Sequence, residues 1–265
     1  MSKLNIESKL KLNNGTEMPL LGFGTWQAKN GEIAYEAVKW ALKAGYRHID
    51  TAKFYGNEES VGRAIRDSGI PRKDIFVTTK LWPTDAINAE KAFKRSFNKL
   101  DIGYIDLYLI HWPAPGLVKK TWLRLEKMYK NSDKIKAIGV SNHSIGNIKS
   151  ILKIATVKPV VNQVKCSPYN YDPELHKFCK ENEIVMEAYS PLTRGNKLND
   201  DKLTTIAKMY GKSPAQILLR WCIQKGIVTI PKSTHEKRIA ENADIFNFEI
   251  NEADIRKLDN FSNKA

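Results

Sequence analysis

We predict an α/β fold, a (β/α)8 TIM barrel with an N-terminal β-hairpin plugging its bottom and extra C-terminal helices, from three features of the sequence. Short apolar stretches of strand length alternate eight times with amphipathic stretches of helical spacing. The chain has 265 residues, and barrels of this type run to roughly 250. Polar or aromatic residues follow the apolar strands, where such barrels keep their active sites. We therefore expect one barrel domain over residues 1–265.

The N-terminal region predicts the hairpin. Asn13-Asn14-Gly15 separates two strand-like stretches, residues 8–12 and 17–20, and Asn-Gly favours the positive φ angles that hairpin turns need. A first barrel strand is predicted at residues 21–26, and apolar residues at helical spacing cover residues 32–44.

From there strands and helices alternate. Strands are predicted at residues 46–50, 75–80, 105–111, 135–141, 160–165, 184–190 and 227–232. Helices are predicted at residues 57–68, 89–100, 120–130, 145–155, 173–181, 200–209, 213–224, 235–243 and 252–261. An open doubly wound sheet is the alternative, but it would carry a Gly-x-Gly-x-x-Gly turn after its first strand. The stretch from Gly22 to Gln27 lacks the third glycine.

Composition excludes several classes of protein. With 42% hydrophobic residues the chain resembles folded globular proteins rather than disordered or fibrous ones. No apolar run is long enough to span a bilayer, and the start of the chain lacks a signal-peptide core, so we expect a cytoplasmic protein with no membrane partner. Cys166, Cys179 and Cys222 lack metal-ligand spacing, and no metal site is predicted.

The net charge of +14 could indicate a polyanionic partner. The lysines, however, are scattered over the predicted helices, without a basic block interleaved with aromatic residues. We therefore expect a solvated basic surface that favours an anionic small molecule, and no nucleic-acid partner. Because no exposed apolar stripe stands out, a monomer is expected.

The residues that close the predicted strands should converge on one pocket. They are Trp26, Asp50, Lys80, His111, Ser141, Asn142, Gln163, Tyr189, Ser190, Lys232 and Ser233. The densest group begins at Asp50, where a strand ends on an acid and runs into a loop with Tyr55 and an expected helix N-cap at Asn57.

The ionisable members of this pocket are Asp50, Tyr55, Lys80 and His111. An ammonium beside the Tyr55 hydroxyl favours the phenolate, so Lys80 is expected to lower the pKa of Tyr55 from about 10. Asp50 can hold Lys80 charged, while His111 can donate a hydrogen bond to a substrate oxygen. The set suits protonation of a carbonyl oxygen. Each member also has an alternative without a catalytic role. Asp50 and Lys80 could form a structural ion pair, His111 could be a core histidine, and Tyr55 could only cover a strand end.

Seven ordered motifs resemble the aldo-keto reductases, and among them the short microbial members that reduce diketogluconate or glyoxal. The motifs are Asp50-Thr51-Ala52 with Tyr55-Gly56-Asn57-Glu58, Lys80 after Thr78-Thr79, residues 107–113, Gly139-Val140-Ser141-Asn142, Asn162-Gln163, Tyr189-Ser190-Pro191-Leu192, and residues 230–233 through Arg238 to Asn242. By this resemblance Tyr55 is the general acid of a tetrad with Asp50, Lys80 and His111.

The resemblance also implies NADPH as cofactor. Ser141, Asn142 and Gln163 resemble the residues that bind the nicotinamide amide, and Tyr189 the aromatic face on which that ring stacks. Ser190 and Leu192 resemble pyrophosphate contacts. Lys232, Ser233 and Arg238 resemble the clamp on the adenosine 2′-phosphate. Glu241 and Asn242 resemble the contacts to the adenine.

Four aromatic residues that follow strand ends resemble the walls of the substrate pocket: Trp26, Phe54, Trp82 and Trp112. The short loop after His111 suggests an open pocket for small aldehydes, dicarbonyls or keto sugars. Thr193 stands where a glycine often follows Ser-Pro-Leu. The sequence leaves two alternatives to a carbonyl reductase: a Schiff-base aldolase using Lys80, and an NADPH-binding regulatory subunit with negligible turnover.

Overall fold

The computed structural model describes residues 4–262 and begins with the predicted hairpin. Strands β1 (Lys9–Lys11) and β2 (Glu17–Pro19) pair antiparallel, and Gly15 adopts the positive φ of 88° that the turn needs. Side-chain amides of the turn donate to carbonyls of the barrel, Asn13 to Pro159 and Asn14 to Lys136. These bonds fix the hairpin to the barrel.

Eight parallel strands follow and pair in chain order. They are β3 (Phe23–Gly24), β4 (His48–Asp50), β5 (Phe76–Leu81), β6 (Leu107–Ile110), β7 (Ile138–Ser141), β8 (Val161–Lys165), β9 (Val185–Tyr189) and β10 (Val228–Ile230). A parallel bridge joins Leu21 to Thr229, and the Gly24 amide donates to the Pro231 carbonyl at 2.9 Å. The sheet thus closes between its first and last strands, which confirms the predicted (β/α)8 barrel.

Helices cover the outside of the barrel. They are α1 (Glu32–Lys43), α2 (Glu58–Arg66), α3 (Ala89–Leu100), α4 (Val118–Lys130), α5 (Ile145–Leu152), α6 (Pro173–Glu181), α7 (Asp201–Met209), α8 (Pro214–Gln224), α9 (Glu236–Ala243) and α10 (Glu252–Asp259). Two helices, α7 and α8, follow β9, and α8 begins with the capping box of Ser213 and Gln216. In the part of the chain that the structure describes, no helix is long and apolar enough to cross a membrane.

Close helix packing depends on one glycine of α2. A Cβ built on Gly62 would lie 1.9 Å from the carbonyl oxygen of Leu100, at the end of α3. Only a hydrogen atom fits at this position, so α2 can approach α3 closely. This contact supports the segment that follows β4 and carries Tyr55.

Candidate active site

A cavity of about 920 Å³ opens at the carboxyl ends of the barrel strands. Of the predicted site residues, all but Lys80 line it: Asp50, Tyr55, His111, Ser141, Asn142, Gln163, Tyr189, Ser190, Leu192, Lys232, Ser233, Arg238, Glu241, Asn242, Trp26, Phe54, Trp82 and Trp112. Lys80 is fully buried immediately behind the wall. The prediction that the strand ends converge on one pocket is confirmed.

Lys80 links Asp50 to Tyr55 at the floor of this cavity. Its Nζ lies 2.7 Å from each carboxylate oxygen of Asp50 and 3.1 Å from the Tyr55 hydroxyl. The Thr51 carbonyl accepts a further bond at 2.9 Å. Burial lowers the pKa of Lys80, but Asp50 and Tyr55 more than offset this, so its pKa lies above the usual value. Lys80 therefore stays charged and points at the phenol.

The pKa of Tyr55 shifts in the opposite direction to the sequence-based expectation. Burial raises it to about 12, and the opposing effect of the Lys80 ammonium is smaller. The expected net lowering was wrong because the phenol lies in a desolvated site, which strongly disfavours its anion. The hydroxyl is therefore fully protonated near neutrality and available as a proton donor.

His111 lies on the other side of the phenol. Its ring meets Tyr55 edge to face, with centroids 5.6 Å apart. Burial, followed by the charge of Lys80, lowers its pKa to about 3. His111 is therefore neutral at physiological pH and can hydrogen-bond a substrate oxygen without adding charge.

The loop that carries Tyr55 is tied to the loop after β3 by Asn57. This residue occupies the N-cap position of α2, but its side chain makes no capping bond. Its Nδ2 instead donates to the carbonyls of Thr25 and Ala28, at 3.0 and 2.9 Å, and its Oδ1 accepts from Thr51. The expected capping role was wrong, because Oδ1, the atom that would accept from the helix amides, accepts from the Thr51 hydroxyl, while Nδ2 satisfies two buried carbonyls.

The predicted nicotinamide set is held by hydrogen bonds among its own members and to His111. Ser141 Oγ donates to the Gln163 carbonyl at 2.8 Å, and Asn142 Nδ2 donates to the His111 carbonyl at 3.1 Å. The Tyr189 hydroxyl donates to Asn142 Oδ1 at 2.9 Å. These bonds fix the orientation of the Tyr189 ring, which lines the cavity.

The far end of the cavity is basic. Lys232 and Arg238 make no ion pair with any residue in 4–262. The Ser233 hydroxyl accepts from the amide of His235, where α9 begins. Two uncompensated cations beside a helix start suit a phosphate dianion.

The loop after β9 supplies a cation that sequence reasoning missed. Arg194 lines the cavity. It and Thr193 have φ angles of 55° and 52°, in the left-handed region that favours glycine. The Thr193 hydroxyl accepts from the Lys197 amide at 3.1 Å, which supports this turn without glycine. An arginine directly after Ser-Pro-Leu-Thr was the available signal.

Aromatic rings form the remaining wall. Phe54 stacks on Trp82, with centroids 4.0 Å apart and planes 9° from parallel, and Trp26 stacks on its other side at 5.5 Å. Phe54 and Trp112 are 50% and 43% exposed, respectively. Exposed aromatic faces at a cavity mouth are typical of a surface that binds apolar groups.

A buried carboxyl behind the floor was also missed. Glu187 is fully buried in β9, and its Oε2 accepts from Gln163 Nε2 at 2.8 Å. The available signal was a single charged residue inside the otherwise uncharged strand β9.

Comparisons with known proteins agree with this geometry. Residues 20–263 match the model of the aldo/keto reductase family. The chain is 48% identical to a glyoxal reductase of Bacillus subtilis over 96% of this chain and 93% of that protein, and 41% identical to the methylglyoxal reductase DkgA of Escherichia coli over 94% and 93%. It superposes on an aldo/keto reductase from Brucella melitensis with a TM-score of 0.91 and 46% identity, covering 96% of this chain and 99% of that one. The chain therefore belongs to the aldo/keto reductase family of oxidoreductases.

Proposed function

We propose that the protein reduces aldehyde and ketone carbonyls to alcohols with NADPH. The observation that carries this proposal is the protonated Tyr55 hydroxyl, 3.1 Å from the Lys80 ammonium, at the floor of a cavity with an aromatic wall and a basic end. Relatives named glyoxal reductase and methylglyoxal reductase support small aldehydes and dicarbonyls as substrates.

The residues present fit a nicotinamide cofactor with a 2′-phosphate. The Tyr189 ring, fixed by Asn142, offers a flat face for the nicotinamide, while Ser141 and Asn142 offer polar groups for its amide. Lys232 and Arg238 would hold the 2′-phosphate through their uncompensated charges, and Ser233 would hold it through its hydroxyl. When bound, the reduced nicotinamide supplies a hydride to the carbonyl carbon.

The chain's own residues supply the proton and the orientation. His111, which is neutral, donates a hydrogen bond to the carbonyl oxygen and directs it toward Tyr55. Tyr55 gives its proton to that oxygen as it becomes an alkoxide, a stronger base than the phenolate. The Lys80 ammonium stabilises the phenolate that remains, and Asp50 keeps Lys80 in place.

Two alternatives have less support. A Schiff-base aldolase needs an accessible neutral amine, whereas Lys80 is fully buried, is paired with Asp50 and has a raised pKa. A regulatory subunit that binds NADPH without turnover would not require a proton donor aligned with an ammonium. The predicted monomer stays a prediction, which size-exclusion chromatography with light scattering would test.

The proposal predicts that NADPH is oxidised when methylglyoxal, an aromatic aldehyde or a keto sugar is added. The loss of NADPH absorbance measures this oxidation. An aldehyde or dicarbonyl should give the highest kcat/KM, because the wall beside Tyr55 is aromatic and uncharged. Binding of NADPH without turnover on any carbonyl would favour the regulatory alternative.

Lys232→Ala and Arg238→Ala are each expected to raise the KM for NADPH by about ten- to a hundredfold, because a hydrogen bond to a charged group contributes about 1.5–3 kcal/mol. The KM for NADH should change little, since NADH lacks the 2′-phosphate. Lys91→Ala, which removes an exposed lysine of α3 away from the cavity, is the matched control. Equal losses with both cofactors would contradict the assigned phosphate contact.

A further inference from the structure

A second buried carboxyl lies behind the catalytic floor and is connected to it. The two hydrogens of the Gln163 side-chain amide bridge Asp50 Oδ2 and Glu187 Oε2, each at 2.8 Å. Glu187 and Gln163 are register partners on β9 and β8. A continuous hydrogen-bonded chain therefore runs from Tyr55 through the Lys80–Asp50 pair and Gln163 to Glu187.

This chain contains one buried cation and two carboxyls. Lys80 lies within hydrogen-bond distance of both oxygens of Asp50, whereas no cation in the described part of the chain contacts Glu187 in the same way. Because an unpaired charge in a desolvated site is costly, the neutral, protonated form of the Glu187 carboxyl is favoured.

Among residues 4–262, the surroundings of Glu187 offer it no other positive partner. The titratable groups that face it are His48 and Asp50 of β4, Lys80 of β5 and, beyond them, Tyr55. His48 Nε2 lies 3.6 Å from Glu187 Oε1, too far for a hydrogen bond, and that oxygen has no hydrogen-bond partner among residues 4–262. Burial, with the charge of Lys80, lowers the pKa of His48 to about 3, so this imidazole is neutral.

We propose that Glu187 is a positioning residue whose carboxyl is protonated beside the Lys80–Asp50 pair, and that its charge, once this carboxyl ionises, holds the proton on Tyr55. This inference rests on the proposed carbonyl reduction for its kinetic consequence. Its structural part, a protonated carboxyl beside Gln163, does not depend on it.

The electrostatics agree with the geometry. Burial and, after it, the charge of Asp50 raise the pKa of Glu187 to about 8, against the smaller opposing effects of Gln163 and Lys80. An ionised Glu187 in turn raises the pKa of Tyr55. The reductive reaction needs the protonated phenol, so the wild type should stay active to higher pH than a variant with a neutral residue 187.

The test is the pH profile of reductive kcat for the wild type, Glu187→Gln and Glu187→Met. Gln keeps the acceptor for Gln163 without the charge, whereas Met removes both. We expect Glu187→Gln to match the wild type below about pH 7 and to lose activity at a pH at least about one unit lower on the alkaline side. Two charges within about 12 Å of each other produce a shift of this size at an effective dielectric constant of about 20. Glu187→Met should show the same alkaline shift together with a raised KM for NADPH, because Gln163 loses a partner.

Glu126→Gln is the matched control, since Glu126 is a buried carboxyl of α4 that bonds to Lys130 and Thr156 outside the barrel. Its profile should overlay that of the wild type. Parallel profiles for wild type and both residue-187 variants, differing only by a constant factor, would mean a purely structural role and would overturn the proposal. If Glu187→Gln does not fold, Glu187→Met provides the neutral reference.

An infrared difference spectrum separates this inference from the proposed function. The spectrum of either residue-187 variant, Glu187→Gln or Glu187→Met, is subtracted from that of the wild type. At about pH 6 the difference should show the C=O stretch of a protonated carboxyl, and at about pH 10 this band should be absent. A carboxylate band at about pH 6 would overturn the proposal. If the wild type reduced no carbonyl, the proposed function would fail, whereas the infrared result would still decide the protonation state of Glu187.

Discussion

Tyr55→Phe is expected to lower kcat for carbonyl reduction by about 10²- to 10⁴-fold, the range for loss of one general acid. The substitution removes only the hydroxyl. The ring keeps its contacts with Trp26 and His111, at centroid distances of 4.9 and 5.6 Å. The Kd for NADPH, measured by quenching of tryptophan fluorescence, should therefore change by no more than about twofold, which corresponds to about 0.4 kcal/mol.

Tyr35→Phe is the matched control for this loss. Tyr35 lies on α1, and its hydroxyl donates to Asp67 at the surface, so kcat should remain at the wild-type value. A Tyr55→Phe variant with normal turnover would refute the role of Tyr55 as proton donor. A variant that also failed to bind NADPH would point to a structural role for the hydroxyl instead.

Strand periodicity was enough to predict the barrel and the convergence of Asp50, Lys80 and His111. Parallel strands bring their carboxyl ends to one face, so the last polar residue of each strand can be assigned to the pocket without knowing any contact. The resemblance to a known family then supplied the proposed role of Tyr55 and the expected division between cofactor-binding and substrate-binding residues.

Properties that depend on burial could not be predicted in this way. The sequence showed that Lys80 could stand beside Tyr55, but the direction of the phenol's pKa shift depends on how completely the site is desolvated. The same holds for Asn57, whose side chain satisfies the buried carbonyls of Thr25 and Ala28 rather than the helix. Glu187 was missed because its role depends on contacts across the barrel interior.

Lys80→Met is expected to abolish detectable reduction and to lower the free energy of unfolding by about 3–5 kcal/mol, the usual cost of leaving one partner of a buried ion pair alone. Asp50 would keep its bond from Gln163 but lose both contacts with the ammonium. Urea unfolding followed by circular dichroism measures the stability, and NADPH oxidation measures the activity.

The stability loss in Lys80→Met should depend on pH. Without Lys80, burial alone raises the pKa of Asp50 above the value in the unfolded chain. A carboxyl with a raised folded-state pKa is accommodated without cost below its unfolded pKa, and it destabilises the fold progressively as pH rises from the unfolded pKa to the folded pKa. The difference from wild type should therefore be largest near neutrality and shrink toward about pH 4.

The double variant Asp50→Asn with Lys80→Met separates stability from catalysis. Removing both charges leaves no unpaired ion, so most of the lost stability should return near neutrality. Turnover should not return, because Tyr55 would still lack the ammonium that stabilises its phenolate. A double variant as unstable as Lys80→Met would show that packing of the lysine stem, rather than the charge balance, maintains the floor of the site.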